Sequence, residues 1–333
     1  MKSRREFLKD AATGAVLLGT ASAAERIALA STQAGKSKVV IARDASLHGT
    51  SAQPDEQKVL NLLDKAMAAY TGRHKPQEAW KRIIPAHILA GQTIGLKVNG
   101  LGGRGIATHP ALTLAVAERL QQAGVKPGNI VVWDQNARFL EACGMTINTD
   151  PSRIRSYPAN SAGFDDQESS WGVAKIHLTR ILTHDCAMVI NLPILKDHEI
   201  AGVTFSMKNM YGVVDKPFLL HANGCNPGVA DLNCIPAIRE KVRFTIGDAI
   251  SSVYDGGPTF HPERLWYPNA LLVGEDRVAL DYTAWQMIES KRKEAGVPSL
   301  EAAGRNPNYI ATAADAAHRL GTCDPSRIRL VEV

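Results

Sequence analysis

What most limits the fold of this chain is a rhythm in which short apolar runs alternate with longer amphipathic ones. Lys38–Ala42, Thr93–Asn99, Ile130–Asp134, Ala187–Leu192, Val242–Gly247, Ala270–Val273 and Ile328–Val331 read as strands. Helices are expected over Glu56–Tyr70, from His109-Pro110 to about Ala123 with Gly124 closing it, over Asp276–Ser290, and over Pro307–Leu320. This alternation predicts an α/β fold, a mostly parallel sheet flanked by helices in a three-layer, Rossmann-like arrangement. Residues 36–333 show neither a linker nor an internal repeat and read as a single domain, with Thr146–Trp171 as a polar, irregular insertion or lid. In such sheets ligands bind beyond the carboxyl ends of the strands, so a site is expected there before any motif is considered.

The first thirty residues read as an address. Ser3-Arg4-Arg5-Glu6-Phe7-Leu8-Lys9 has the form of a twin-arginine export signal, followed by a small, apolar run from Ala11 to Ala24. Ala21-Ser22-Ala23 and Ala28-Leu29-Ala30 offer cleavage sites. The run is too short and too rich in alanine and glycine for a permanent membrane span. The expected partner is therefore the twin-arginine translocase and the expected location periplasmic or otherwise extracytoplasmic. That route carries folded proteins, so a cofactor loaded before export is compatible with it.

Charge and cysteines narrow the function further. Formal net charge is +5, and residues 1–30, with five basic and three acidic groups, hold part of it. The remainder is only mildly basic and lacks Lys/Arg runs interleaved with aromatics, so nucleic acid is not an expected partner. The five cysteines form no Cys-x-x-Cys, which leaves no ferredoxin-type iron–sulfur motif and no zinc ribbon. Cys225 and Cys234 are candidates to pair in an oxidising compartment, whereas Cys143 and Cys186 sit among apolar neighbours and are expected as buried thiols. His-Glu-x-x-His and Gly-x-Ser-x-Gly are both absent, which argues against a zinc hydrolase and a standard serine hydrolase.

Polar residues with chemical potential cluster in three places. Lys97-Val98-Asn99 ends a strand before Gly100-Leu101-Gly102-Gly103-Arg104-Gly105, which satisfies G-x-G-x-x-G. The helix begins too late, and Asp134 lies too far downstream, for a good dinucleotide fingerprint. A loop whose amides face an anion and a plain loop both remain open. The densest stretch is Lys196-Asp197-His198-Glu199 after a buried strand, with Lys208-Asn209 ten residues on. Two lysines and a histidine point to an anionic ligand, with His198 as proton shuttle; the alternative is a solvated turn. The third cluster is Asp248 and Asp255, the latter in Asp255-Gly256-Gly257-Pro258, where a divalent cation or a tight turn would each explain the residues. Lys196, His198 and Lys208 are thus the catalytic candidates. Lys97, Asn99, His109, Asn209 and Asp134 are the ligand-binding candidates, and Asp248 and Asp255 the metal candidates.

The string from Val189 to Val214, VINLPILKDHEIAGVTFSMKNMYGVV, resembles the core motif of the domain of unknown function 362 family. LKVN at 96–99, ATHPALTLAV at 107–116, ADL at 230–232, GDAI and DGGP between 247 and 258, and EDRVALD at 275–281 fit the same family. Some relatives carry added iron–sulfur modules whose cysteine runs this chain lacks. Pro193-Ile194-Leu195-Lys196-Asp197-His198 is also similar to a string in the nickel-pincer lactate racemase superfamily. That likeness implies a nickel-type cofactor and singles out Lys196 and His198. Together these readings describe an exported enzyme acting on a small anionic ligand or cofactor through a Lys/His/Asp cluster. The rival reading is a non-catalytic accessory protein that binds a ligand or metal in the same pocket. A third, a redox protein, is disfavoured by the missing cysteine runs.

Overall fold

The computed structural model describes residues 35–48 and 53–333, and the export signal read in residues 1–30 lies outside them. The strands, in chain order, are β1 (Ser37–Arg43), β2 (Ile94–Lys97), β3 (Ile130–Trp133), β4 (Arg155–Ser156), β5 (Ser169–Trp171) and β6 (Ala174–Ile176). They continue with β7 (Met188–Asn191), β8 (Ile194–His198), β9 (Gly202–Thr204), β10 (Val242–Val253), β11 (Leu265–Trp266), β12 (Ala270–Gly274) and β13 (Ile328–Glu332). Eleven of them form one sheet whose main path runs β13-β1-β12-β10-β7-β2-β3-β4, with β8 and β11 joined at β10 and β9 joined through β8; β5 and β6 make a separate hairpin.

The sheet is mixed but mostly parallel. β10, β7, β2, β3 and β4 run parallel, whereas β12 pairs antiparallel with both β1 and β10. Both faces are covered, and the period of two along each strand shows it. Val40, Ile94, Leu96, Ile130, Val132, Met188, Ile190, Phe244 and Ile246 face one core, built with the helices Glu56–Thr71 and Pro110–Gln122. Val131, Trp133 and Val189 face a second core, and Val39, Ile41 and Leu272 a third, on the other side. Strands buried on both faces must be apolar on consecutive residues, which is why these segments were legible.

Helix boundaries follow local chemistry. Asp55 caps Glu56–Thr71 by accepting the Lys58 N–H at 2.9 Å, and Gly72, at φ 72°, closes it in the left-handed conformation that glycine adopts without strain. The expected helix Pro307–Leu320 is only Tyr309–Ala314. Asp315 ends it, because its carboxylate accepts the Ala317 and His318 N–H groups at 2.8 and 2.9 Å and holds the chain in a turn. Among the described residues no helix is long and apolar enough to cross a membrane. Inside the stretch read as an insertion, Arg155–Ser156 extends the sheet as β4, pairing with β3.

At β8 the structure decides between the two readings. Lys196, Asp197 and His198 do not sit in the solvated turn that was the alternative: they lie in a strand paired with β9 and β10, and all three are buried. A Lys-Asp-His-Glu run looks solvent-bound by composition, but strand pairing fixes it inside and leaves the side chains to find partners there.

Candidate functional site

Four strand ends and one 3₁₀ turn bring the polar residues together. β2 delivers Lys97 and, beyond it, Asn99; Asp134 follows β3; Asn191 ends β7; His198 ends β8; and the turn Lys208–Val213 supplies Lys208, Asn209 and Tyr211. Asp281, in the helix Arg277–Glu294, accepts the backbone N–H groups of Ser206 and Met207 at 2.6 and 3.1 Å and so pins the start of that turn from below. A small cleft of about 170 Å³ is lined by Lys97, Asn99, Asp134, His198, Lys208, Asn209, Tyr211 and His221, among others.

Its floor is a closed network. Lys97 Nζ donates to Asp134 Oδ1 at 2.6 Å and to the Val98 carbonyl at 2.6 Å, with Asn209 Oδ1 at 3.4 Å. Asp134 also accepts the Gly100 and Gln135 N–H groups at 2.7 and 2.8 Å. Asn99 Nδ2 donates to Asn209 Oδ1 at 2.9 Å, and Asn209 Nδ2 donates to Asn191 Oδ1 at 2.7 Å. Lys196 Nζ donates to Asn99 Oδ1 at 2.9 Å and to the Leu101 carbonyl. Burial pulls the Lys196 amine down to about 7.

These contacts correct two expectations. The charge of Lys97 is already neutralised by Asp134, so neither group is free for a ligand. The glycine loop turns its carbonyls toward Lys196 and spends the Gly100 amide on Asp134, so it is not an anion cradle formed from amides.

The open part of the cleft is the trio Lys208, His198 and His221. Lys208 is buried, its Nζ 3.5 Å from the centre of the Tyr211 ring and 3.3 Å from His221 Nε2. Among the described residues no carboxylate makes an ion pair with Lys208. Burial lowers its amine to about 8, a drop that the Cys225 thiol partly opposes.

Geometry fixes the tautomers of both rings. His198 Nδ1 accepts the Ile200 and Ala201 N–H groups at 3.1 and 3.2 Å, so its neutral form carries the proton on Nε2. His221 Nδ1 lies 3.0 Å from the Pro217 carbonyl and must donate to it, which leaves Nε2 as an acceptor toward Lys208. Burial first, then the charges of Lys208 and its neighbours, push the His198 imidazole down to about 2, and the same two causes lower His221. His198 therefore presents a neutral N–H donor to the cleft.

His109, Asp248 and Asp255 lie outside the cleft. Asp248 accepts the backbone N–H of His109, its Nδ1–H at 2.9 Å and the Ile250 N–H at 3.0 Å. Burial opposes protonation of His109, but the charge and hydrogen bond of Asp248 prevail and raise its pKa. Asp255 binds Arg292 at 2.7 Å and Arg305 at 2.6 Å, and Arg305 also holds Asp197 at 2.8 Å. The two metal candidates are thus engaged by different partners, and they do not converge. Among the described residues no group of three or more His, Cys, Asp or Glu side chains is arranged to hold a metal ion. A buried ammonium 3.3 Å from His221 Nε2 does not fit a divalent cation; it fits an anion.

Cys225 and Cys234, the candidates to pair, are both free thiols. Cys225 sits by Lys208, whereas Cys234 points its thiol at the His318 carbonyl, 3.7 Å away. Cys143 and Cys186 are buried as expected, and burial pushes the Cys186 thiol up to about 12. Reading the sequence missed Tyr211 and Cys225. The available signal was the spacing of Lys208, Tyr211 and His221 within fourteen residues.

Comparison with known proteins follows the same region. The sequence model of the family described as "Domain of unknown function (DUF362)" matches residues 94–286, which hold every cleft residue named above. No curated protein matches the chain. A structure of a Thermotoga maritima protein is similar at 12% identity and a TM-score of 0.43, covering 72% of this chain and 59% of its own. The lactate racemase apoprotein of Thermoanaerobacterium thermosaccharolyticum is similar at 11% identity and a TM-score of 0.38, covering 73% of this chain and 55% of its own. The chain spans less than two thirds of the length of either.

Proposed function

The chain belongs to the DUF362 family, whose domain is of unknown function, and from that premise we propose that it is an exported enzyme that binds a small carboxylate in the Lys208 cleft. The observation that carries this reading is the buried Lys208 ammonium, with no carboxylate ion pair among the described residues, in a cleft that the Nε2–H of His198 also lines. A buried cation without a counter-ion is costly, and an anionic ligand relieves that cost with a charge-assisted hydrogen bond. The cleft is small, which favours a ligand of few heavy atoms. Two amines lowered to about 7 and about 8 within one network support catalysis over simple carriage, since groups titrating near neutrality are the ones that exchange protons.

Calorimetric titration with propionate, a saturated carboxylate, tests the reading. Binding is expected to weaken roughly tenfold to a hundredfold in Lys208→Gln, the value of a lost hydrogen bond to a charged group. Affinity is also expected to fall as pH rises through about 8, where the amine loses its proton. The groups facing that amine are His221, His198, Tyr211 and Cys225, and none of them supplies a replacement positive charge there. Equal affinity in wild type and Lys208→Gln would remove the reading.

A further inference from the structure

We propose that Lys208 forms an imine with the carbonyl carbon of a small oxo-carboxylate held in this cleft. The inference rests on the anion reading above and deepens it to a substrate class. Three lysines reach the network, but two are spent. Lys97 is tied to Asp134 and the Val98 carbonyl, and Lys196 to Asn99 and the Leu101 carbonyl. Lys208 lines the cleft with neither a carboxylate nor a carbonyl bonded to its amine among the described residues, backed by the Tyr211 ring at 3.5 Å.

The two histidines of the cleft, their rings 6.0 Å apart, offer that amine opposite roles. His221 presents a bare Nε2 at 3.3 Å, its tautomer set by the Pro217 carbonyl. His198 presents an N–H, its tautomer set by two backbone amides. Imine formation needs one proton acceptor and one donor beside an amine. The Lys208 ammonium passes a proton to His221 Nε2, and the freed lone pair attacks the carbonyl carbon, while the His198 N–H steadies the developing oxygen charge. The carbinolamine nitrogen–carbon bond is then in place. Its carbon–oxygen bond breaks, and the oxygen leaves as water, carrying one proton passed from the carbinolamine nitrogen and one returned by His221. Amine plus carbonyl gives imine plus water, and no oxidant or reductant is consumed. The lowered amine agrees with this role, because a neutral fraction is present near neutral pH.

The test is to incubate the full chain with pyruvate, add sodium borohydride, and map the reduced adduct by peptide mass spectrometry. The adduct is expected on Lys208, to be lost in Lys208→Arg, and to increase between pH 7 and 9 while propionate affinity decreases. His221→Gln is expected to slow trapping about a hundredfold, the size of a lost proton-transfer group. Mapping of the native protein stands even if a variant fails to fold. Adduct on exposed lysines such as Lys75, with Lys208 unmodified, would overturn the imine while propionate binding kept the anion reading intact. Loss of both signals would overturn the two together.

Discussion

Asp134→Ala is expected to destabilise the protein by about 3–5 kcal/mol, the usual cost of breaking a buried ion pair by removing one partner. Lys97 and Asp134 are both almost fully buried, and their 2.6 Å contact is the anchor of the cleft floor. Without the carboxylate the Lys97 ammonium keeps only the Val98 carbonyl and a distant Asn209 oxygen. The Gly100 and Gln135 amides also lose their acceptor, so the glycine loop and the turn after β3 loosen with it. The urea midpoint measures the effect. A double variant, Lys97→Met with Asp134→Leu, should recover part of the loss but not all, because the two amides stay unpaired. A single Asp134→Ala variant as stable as wild type would mean that the pair is not the anchor.

The second large effect is a change in slope with pH. Lys196 lies at about 7 in the folded protein and near 10.4 when unfolded, so between those limits the unfolded chain holds a proton that the folded one has released. Stability then increases as pH rises through the window, by at most about 1.4 kcal/mol for each pH unit. Lys196→Met should lack this contribution. Comparing the two proteins cancels the similar titration of Lys208, and the remaining groups around Lys196 are Asn99, the Leu101 and Ile106 carbonyls, Asp134, Cys143 and the other two lysines. Wild type should gain on the variant from pH 7 to pH 10 in urea denaturation. Parallel pH profiles would show that Lys196 keeps its proton throughout. Amide exchange at residues 100–106 should also quicken in the variant, since Lys196 is what ties that loop to Asn99.

Much of the scaffold was readable because burial on both faces writes itself into sequence. The runs around Ile130–Trp133 and Met188–Asn191 are apolar residue after residue, and their ends mark where a sheet of this kind collects polar groups. Asn99, Asp134, His198, Lys208 and Asn209 do meet at that rim. Partnership was what the sequence could not convey. Nothing in the spacing says that Lys97 finds Asp134, thirty-seven residues away, or that Asp255 is claimed by Arg292 and Arg305. Composition left a solvated turn open as the alternative at β8, where the charged run is instead enclosed by β9 and β10. The short helix Tyr309–Ala314 was overextended for the reverse reason: one capping aspartate outweighed a helical stretch of alanines.

Everything functional turns on whether the Lys208 amine accepts a negative group with the His198 N–H beside it. A crystal structure of the full chain soaked in propionate asks this directly. The account predicts one carboxylate oxygen on Lys208 Nζ and the other on His198 Nε2, with the Lys97–Asp134 pair undisturbed. Propionate bound at the glycine loop or displacing Asp134 from Lys97, with the Lys208 cleft empty, would contradict it.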